Sequence, residues 1–412
     1  MIAVGVPIET RMRELAPEVL AVLVRRHGNF DRCEDALQEA LLMAARQWPA
    51  GDMPNDSKAW LITVASRRWT ELWRNETART RREQGAVALE PTPPDPSEEE
   101  VADDLLNVLL LCCHPALTVP SQVALTLRAV GGLTTAEIAR GLLVPEATVA
   151  QRISRAKQRI RAAGATFSPP SETELRTRLD AVLRVLYLIF TEGSTASSGV
   201  ALHRVELSAE ALRLARQLHA DRSADGEIAG LLALMLLTDA RRPARTRPDG
   251  TLVPLAEQER ARWDRGAIAE GTELVTTALS HAPVGPFQLQ GAIAAVHAEA
   301  PRAEDTDWQQ ILGLYELLRR FEPGPMTTLG RIVAIAMVQG TKAGLRELDE
   351  ATADPVLREH HRAHAVRAHL LDMTGAHDAA RVAYREAARR TLSVPEQRYL
   401  AAKAADRPRR PS

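Results

Sequence analysis

The side chains with the clearest chemistry lie in a basic segment between Glu146 and Arg161. Its glutamine, arginine and lysine side chains can hydrogen-bond to base edges and to phosphates, the two kinds of contact that proteins make with duplex DNA. Apolar residues recur at helical spacing along one side, at Val149, Ile153, Ala156 and Ile160. We therefore predict an amphipathic helix whose apolar stripe packs and whose basic faces are free to meet DNA.

A short helix and a tight turn must position this basic helix. Thr134 or Thr135 can cap the short helix, with Glu137 in its first turn. Its apolar face repeats at Ile138, Ala139 and Leu142. Pro145 ends it, because the residue before proline avoids the α region and proline has no backbone N–H to donate. The arrangement predicts a helix-turn-helix; the alternative is an ordinary basic helix lying on solvent.

The second helix of a helix-turn-helix divides its polar side chains between two tasks. Its N-terminal part faces base edges, and the surrounding positive charge holds phosphates. The predicted base-reading residues are Ala147, Thr148, Gln151 and Arg152. The predicted phosphate contacts are Arg155, Lys157 and Arg159. Glutamine suits adenine and arginine suits guanine, so the motif indicates DNA binding without revealing the sequence bound.

An acidic surface is predicted on the helix that follows Phe30. Leu37, Leu41, Ala44, Ala45 and Trp48 share its inner face. Four polar residues then crowd onto an outer face: Glu34, Asp35, Gln38 and Glu39. Taken alone, such a patch is equally typical of a solvated helix face.

The next predicted helix, which opens at Trp60, interleaves aromatic and basic side chains. Its packing residues are Trp60, Leu61, Val64, Ala65, Leu72 and Trp73. The residues left outside are Arg67, Arg68, Trp69 and Arg74. Rings stack on exposed bases and guanidiniums meet the backbone, so this surface suits single-stranded DNA. The alternative is that each tryptophan belongs to the core.

Composition favours an all-α protein. Apolar residues make up 45% of the chain and aromatic residues only 4%, so leucine and alanine must fill the interior. The formal net charge is -1, so the whole molecule has no basic field to concentrate it on DNA. We expect a partner to deliver it to its site.

The cysteines Cys33, Cys112 and Cys113 offer neither a disulfide framework nor paired metal-ligand spacing. A reducing cytoplasm fits this usage, and we expect no metal and no cofactor. The sequence contains neither an export signal nor a stretch long and apolar enough to span a membrane. We therefore expect a cytoplasmic location without membrane partners.

The pattern predicts four parts along the chain. A helical domain at 1–85 is followed by an acidic, proline-rich linker at 86–103 and by the helix-turn-helix domain at 104–166. A long helical tail occupies 167–412, with degenerate tetratricopeptide-like repeats at about 292–395. The repeat spacing is clearest at Gly375, Ala380, Tyr384 and Ala387. Stacked helix pairs of this kind form a concave groove that holds a peptide or another domain.

This order of elements resembles bacterial RNA polymerase sigma factors of the extracytoplasmic function type, within the sigma-70 family. The matching segments are EDALQEA at Glu34–Ala40, AWLITVA at Ala59–Ala65 and GGLTTAEIARGLLVPEATVAQRISRAK at Gly131–Lys157. The tail resembles the extension of a subgroup with tetratricopeptide-like repeats, in segments such as LLALMLLTDARRPAR and RWDRGAIAEG.

The resemblance implies a partner for each group of residues. Glu34, Asp35, Gln38 and Glu39 match the region that docks on the clamp helices of core RNA polymerase. Arg67, Arg68 and Arg74, with Trp69 beside them, fall in the segment that melts and reads the −10 promoter element. The basic helix from Glu146 would read the −35 element.

Two function classes follow from these patterns. The first is a non-enzymatic sigma factor that binds core RNA polymerase and promoter DNA. Its tail would regulate or complete that activity through a protein or peptide partner, or by holding a sigma domain of the same chain. The alternative is a helix-turn-helix regulator that acts without polymerase and senses a peptide through its repeats.

Overall fold

The computed structural model describes residues 8–48, 53–81, 106–142, 144–164 and 172–406. These residues are almost entirely helical, which confirms the all-α fold class. The chain divides into two units, Met1–Leu188 and Ile189–Ser412. The predicted linker at 86–103 lies outside the described residues, as does the predicted boundary at 166 and 167.

The first unit begins with three helices that pack on one another: α1 (Ile8–His27), α2 (Phe30–Gln47) and α3 (Ser57–Arg81). Gly28 turns the chain between α1 and α2 with a φ of 72°. The Asn29 side chain then caps α2 by accepting a hydrogen bond from the Arg32 N–H at 3.2 Å. Leu20, Leu23, Leu37, Trp48 and Leu61 fill the core between the helices. Ala45, predicted to face inward, is exposed.

The helix-turn-helix domain follows in the first unit, before the helix that begins at Glu172. It is built from α4 (106–112), α5 (Val119–Ala129), α6 (Thr135–Leu142) and α7 (Glu146–Ala162). α4 ends at 112, and in the turn that follows the His114 ring accepts the Ala116 N–H at 3.2 Å.

The predicted cap of α6 is present as a reciprocal pair of hydrogen bonds. The Glu137 carboxylate accepts the Thr134 N–H at 2.8 Å, and the Thr134 hydroxyl accepts the Glu137 N–H at 3.2 Å. Two backbone donors that the first turn leaves open are satisfied in this way. The start of α6 is therefore well defined.

The second unit is a succession of helices in which most pack on the next. The boundary between the units falls inside α8 (Glu172–Ser194). The helices that follow are α9 (Val205–Asp221), α10 (Gly226–Asp239), α11 (Arg265–His281), α12 (Pro286–Glu299), α13 (Trp308–Phe321), α14 (Pro325–Gln339), α15 (Thr341–Ala351), α16 (Pro355–Glu359), α17 (His361–Met373), α18 (His377–Arg390) and α19 (Val394–Ala405). α15 packs on α17 across the short α16. Successive apolar clusters run from α10 to α19.

The tetratricopeptide-like spacing corresponds to real helix pairs. Gly340 and Gly375 lie in the turns before α15 and α18, with φ values of 95° and 79° that favour glycine. Ala380, Tyr384 and Ala387 are buried on the inner face of α18, as predicted.

A short parallel pairing connects the two ends of the second unit. The segment at 191–199 is helical through Ser194 and then forms β1 (Ser198–Gly199). β1 pairs with β2 (Leu392–Ser393), just before the last helix. The sequence gives no sign of this partner, because the two segments are far apart along the chain.

Candidate nucleic-acid interface

The α7 helix presents one exposed strip that contains most of the predicted DNA-binding residues. Its apolar stripe, Val149, Ile153, Ala156 and Ile160, is buried as predicted. Ala147, Gln151, Arg155 and Arg159 are exposed, and Thr148 and Arg152 are half-buried beside them. These residues follow one another at intervals of three or four positions, so they share one side of the helix. The strip is accessible to a duplex.

Lys157 does not belong to this exposed strip. Only 8% of its surface is exposed, and the expectation that it faces solvent is wrong. Its Nζ lies 2.6 Å from Glu34 Oε2, 2.6 Å from Asp35 Oδ1 and 3.3 Å from Asp31 Oδ1. The physical reason is a contact between α7 and α2 that the sequence alone does not show. Its predicted part in DNA binding requires the two helices to separate.

Glu34 is the matching correction on α2. It was predicted on the outer acidic face, but it is only 2% exposed. Besides Lys157, its carboxylate accepts a hydrogen bond from Arg128 Nε of α5 at 3.2 Å. A buried carboxylate needs such partners, because water no longer solvates it. The helix-turn-helix supplies both of them.

The charge state of Lys157 follows from this surrounding. Burial alone would lower the pKa of its ammonium. The charge of Glu34 and the hydrogen bonds to Asp35 and Glu34 outweigh burial, so the pKa lies above its usual value. Lys157 is therefore charged at neutral pH, and Arg161 adds a further ion pair to Asp31 at the same contact.

Of the other predicted polymerase-binding residues, two already form ion pairs within the protein and one has a hydrogen-bond donor left unused in the described part of the chain. The Asp35 side chain is 57% exposed although it pairs with Lys157. Gln38 is half-buried, and its Nε2 has no hydrogen-bond partner within the described residues. Glu39 lies 3.6 Å from Arg68 Nε, so it links the acidic helix to α3. Asp35 and Glu39 thus remain reachable from solvent.

The residues predicted to contact −10 DNA do not behave alike. Arg67 and Arg74 are exposed on α3. Arg68 pairs with Glu71 at 2.7 Å as well as with Glu39. Trp69 stacks on His27 with ring centroids 4.0 Å apart, and Trp73 follows at 6.4 Å. The aromatic stack therefore includes His27, which no sequence pattern marks, because it lies at the end of α1 directly before the turn glycine Gly28.

The cysteines are core residues. Cys33, Cys112 and Cys113 are buried and free of disulfides. Burial raises the pKa of Cys33 and of Cys113 to about 12, which keeps both as unreactive thiols. Within the described ranges, no group of three or more His, Cys, Asp or Glu side chains is placed to hold a metal ion.

Comparison with known proteins identifies the parts of the chain. Residues 12–79 match sigma-70 region 2, residues 107–160 match sigma-70 region 4, and residues 178–279 match a family of unknown function, DUF6596. The uncharacterized protein R00370 of Rhizobium meliloti is 37% identical over 409 residues, covering 95% of this chain and 94% of that protein. The chain belongs to the family of that Rhizobium meliloti protein. In this family member, α7 is the second helix of the region 4 helix-turn-helix.

Two further likenesses are narrower. The ECF RNA polymerase sigma factor SigL of Mycobacterium tuberculosis is 30% identical over 155 residues, which cover 36% of this chain and 86% of that protein. The crystal structure of yeast Tom70 superposes with a TM-score of 0.37 at 11% identity, over 96% of this chain and 83% of Tom70. In the described ranges, no helix is long and apolar enough to cross a membrane.

Proposed function

We propose that this protein is a sigma factor of the extracytoplasmic function type, which binds core RNA polymerase and directs it to specific promoters. The observation that carries the proposal is the exposed strip of α7 on a region 4 helix-turn-helix, in a chain that also contains region 2. Gln151 and Arg152 would read base edges, while Arg155 and Arg159 hold phosphates.

The region 2 part supplies the second half of the proposed mechanism. Arg67 and Arg74 lie exposed on α3 and can hold the backbone of a separated strand. Trp69 offers a ring for stacking once the strand displaces its contact with His27. The chemistry is binding and strand capture alone, with no bond made or broken.

Polymerase binding is proposed to change the contact between α2 and α7. The carboxylates of Glu34 and Asp35, proposed to dock on polymerase, already hold Lys157. To bind Glu34, polymerase must therefore displace Lys157 and Arg128 from its carboxylate and replace them with basic side chains of its own. This exchange would free Lys157 for a phosphate and separate the two DNA-reading parts in one step.

The test is whether the full-length protein forms a complex with core RNA polymerase, detected as co-elution on size-exclusion chromatography. Replacing Asp35 with Asn and Gln38 with Ala should abolish a stoichiometric complex. As a control, Gln47→Ala changes an exposed residue of the same helix and should leave the complex intact. Promoter-dependent transcription should be lost with Arg155→Ala and retained with Arg385→Ala, an exposed arginine of the second unit.

The outcomes separate the two function classes. A complex that survives the Asp35 and Gln38 substitutions would contradict the proposed docking surface. Failure of the intact protein to bind polymerase, combined with tight duplex binding at moderate salt, would instead favour the polymerase-independent regulator. We also propose that the second unit regulates the activity, which predicts that removing residues beyond 167 changes polymerase affinity or transcription.

A further inference from the structure

The second unit contains three arginines near the C-terminal end of α10 that, among the described residues, form no ion pair: Arg241, Arg245 and Arg260. The charges of Arg245 and Arg260 both act on Arg241. Carboxylates influence the other two from farther away, Asp239 and Glu396 at Arg245, and Glu304 and Asp305 at Arg260. We call these three residues the arginine cluster. Their mutual repulsion is unfavourable unless something of opposite charge lies among them.

Two members of the arginine cluster have an evident structural task. Arg245 donates to the Ser194 carbonyl at 2.9 Å and to the Thr195 hydroxyl, at the end of α8. Arg260 donates to the carbonyls of His297 and Ala300, each at 2.6 Å, at the end of α12. Cations at helix C-termini satisfy carbonyls that lack a partner, so these bonds explain why two arginines are here.

Arg241 has no such explanation. It is half-buried, and within the described residues its guanidinium takes part in neither a hydrogen bond nor an ion pair. Its Nε is fully enclosed without an acceptor. Burial lowers the pKa of Arg241 to about 10, and the charges of Arg245 and Arg260 act in the same direction. The side chain is still protonated at neutral pH, so a charged fork of donors lacks an acceptor.

The surroundings of Arg241 lack a negative charge but hold another unused donor. Burial, together with the charges of Arg241 and Arg260, lowers the pKa of His297 to about 4, so its ring is neutral. Trp263 belongs to the same buried apolar cluster as Ala240 and Ala244, which flank Arg241 in the sequence, and it lies under the Arg260 guanidinium at 4.5 Å. Its buried Nε1 also lacks an acceptor.

Within the described residues, no carboxylate forms an ion pair with Arg241. Asp239 pairs with Arg242 through Oδ2 at 3.4 Å, while its buried Oδ1 has no hydrogen-bond partner within the described residues. Asp264 caps α11 by accepting the Ala267 N–H at 3.0 Å. Glu396 accepts the Thr391 hydroxyl at 2.8 Å and faces His361 at 3.4 Å. Arg241 is therefore the member of the arginine cluster whose guanidinium has no acceptor within the described residues, and an external anion would supply one.

We propose that the arginine cluster is a binding site for the phosphate group of a small ligand. A phosphate dianion offers several acceptor oxygens, which suits a guanidinium fork with no other partner and an adjacent indole N–H. Its charge also offsets the surplus of three guanidiniums. A bound phosphate would join Arg241 to the side chains that hold the ends of α8 and α12.

The first test is a titration of the full-length protein with inorganic phosphate, followed by thermal unfolding and calorimetry, with chloride at equal ionic strength as the control. Phosphate should raise the unfolding temperature, and the rise should grow with the logarithm of the phosphate concentration above Kd, because phosphate binds only the folded state. Arg241→Met should weaken phosphate binding by roughly tenfold or more, since a charge-assisted partner is lost. Arg385→Met, at an exposed position of α18, should leave binding unchanged.

A second readout separates ligand binding from a purely structural role. Without phosphate, Arg241→Met should unfold at the same temperature as the wild type or higher, because it removes a buried charge that has no partner. Arg241→Lys keeps the charge but loses the planar fork, so it should bind phosphate with intermediate affinity. This variant also serves if the methionine variant does not fold.

The outcomes decide the source of the phosphate as well as the proposal. Binding of inorganic phosphate that depends on Arg241 supports a free phosphate ligand. If the protein binds a nucleoside phosphate but not inorganic phosphate, and this binding also depends on Arg241, the ligand is an organic phosphate. Absence of binding in both cases, or equal binding by wild type and Arg241→Met, would overturn the proposal. None of these measurements involves polymerase, so they stand apart from the proposed sigma activity.

Discussion

Replacing Lys157 with methionine gives the sharpest test of the contact between α2 and α7. Methionine keeps the length and apolar stem of the side chain and removes only the ammonium. Glu34 would then keep Arg128 as a partner but lose an ion pair of 2.6 Å at a site where it is 2% exposed. The substitution therefore isolates the electrostatic part of the contact.

The expected magnitude follows from burial. Removing one partner of a buried ion pair costs about 3–5 kcal/mol, since the other charge stays enclosed. We take about 3 kcal/mol, because the second carboxylate, Asp35, is 57% exposed and loses little when water replaces Lys157. A loss of this size lowers the ratio of molecules with α2 and α7 in contact to molecules with these helices separated by roughly 150-fold.

The assay is a double-mutant cycle between Lys157→Met and Glu34→Gln, read by amide hydrogen exchange in α2 and α7. Arg155→Met is the matched control, since it changes an exposed residue of the same helix. We expect faster exchange at the contact in Lys157→Met, no change in the control, and a coupling energy of about 2–3 kcal/mol. A coupling below about 0.5 kcal/mol would refute the reasoning, because independent sites show no more than that.

Other predictions concern local features. Thr134→Ala removes the acceptor for the Glu137 N–H and should destabilise the first unit by about 1 kcal/mol in urea unfolding; an unchanged midpoint would contradict the cap. Gly375→Ala should cost about 1 kcal/mol or more through its φ of 79° alone, because no atom lies within 4 Å of the added methyl group. The pKa of Lys157 is higher in the folded protein than its unfolded value of about 10.4. The ion pairs of Lys157 therefore stabilise the contact between α2 and α7 fully below about pH 10.4, and this contribution is lost as the pH rises through the folded pKa. Exchange at the α2 and α7 contact should therefore be constant from neutral pH to about pH 9 after correction for intrinsic rates, and a change in that range would count against this account.

Much of the fold is readable from the sequence because its signals are local. The apolar stripe of α7 and the capping pair of Thr134 and Glu137 depend on residues three or four positions apart. The turn glycines of the second unit are equally local, since a positive φ favours glycine whatever packs nearby. The sequence therefore predicts the helices, the helix-turn-helix and the region of repeats.

The ion pairs between α2 and α7 depend on residues far apart in the chain, and periodicity does not report them. A partial signal exists, because Lys157 follows Ile153 by four positions and Ala156 directly, at the edge of the apolar stripe. Glu34 likewise follows buried Phe30 by four positions. A charge at a buried position of one helix calls for an opposite charge elsewhere, but the sequence does not say where.

The pairing of β1 with β2 affects the order in which the chain can fold during synthesis. Its partners, Ser198 with Leu392 and Gly199 with Ser393, are separated by roughly 190 residues. At about 5–20 residues per second, the ribosome releases the second partner about 10–40 s after the first. The helix-turn-helix is complete in the nascent chain before that interval begins. Any control that requires the paired β1 and β2 therefore starts only after Ser393 has left the ribosome.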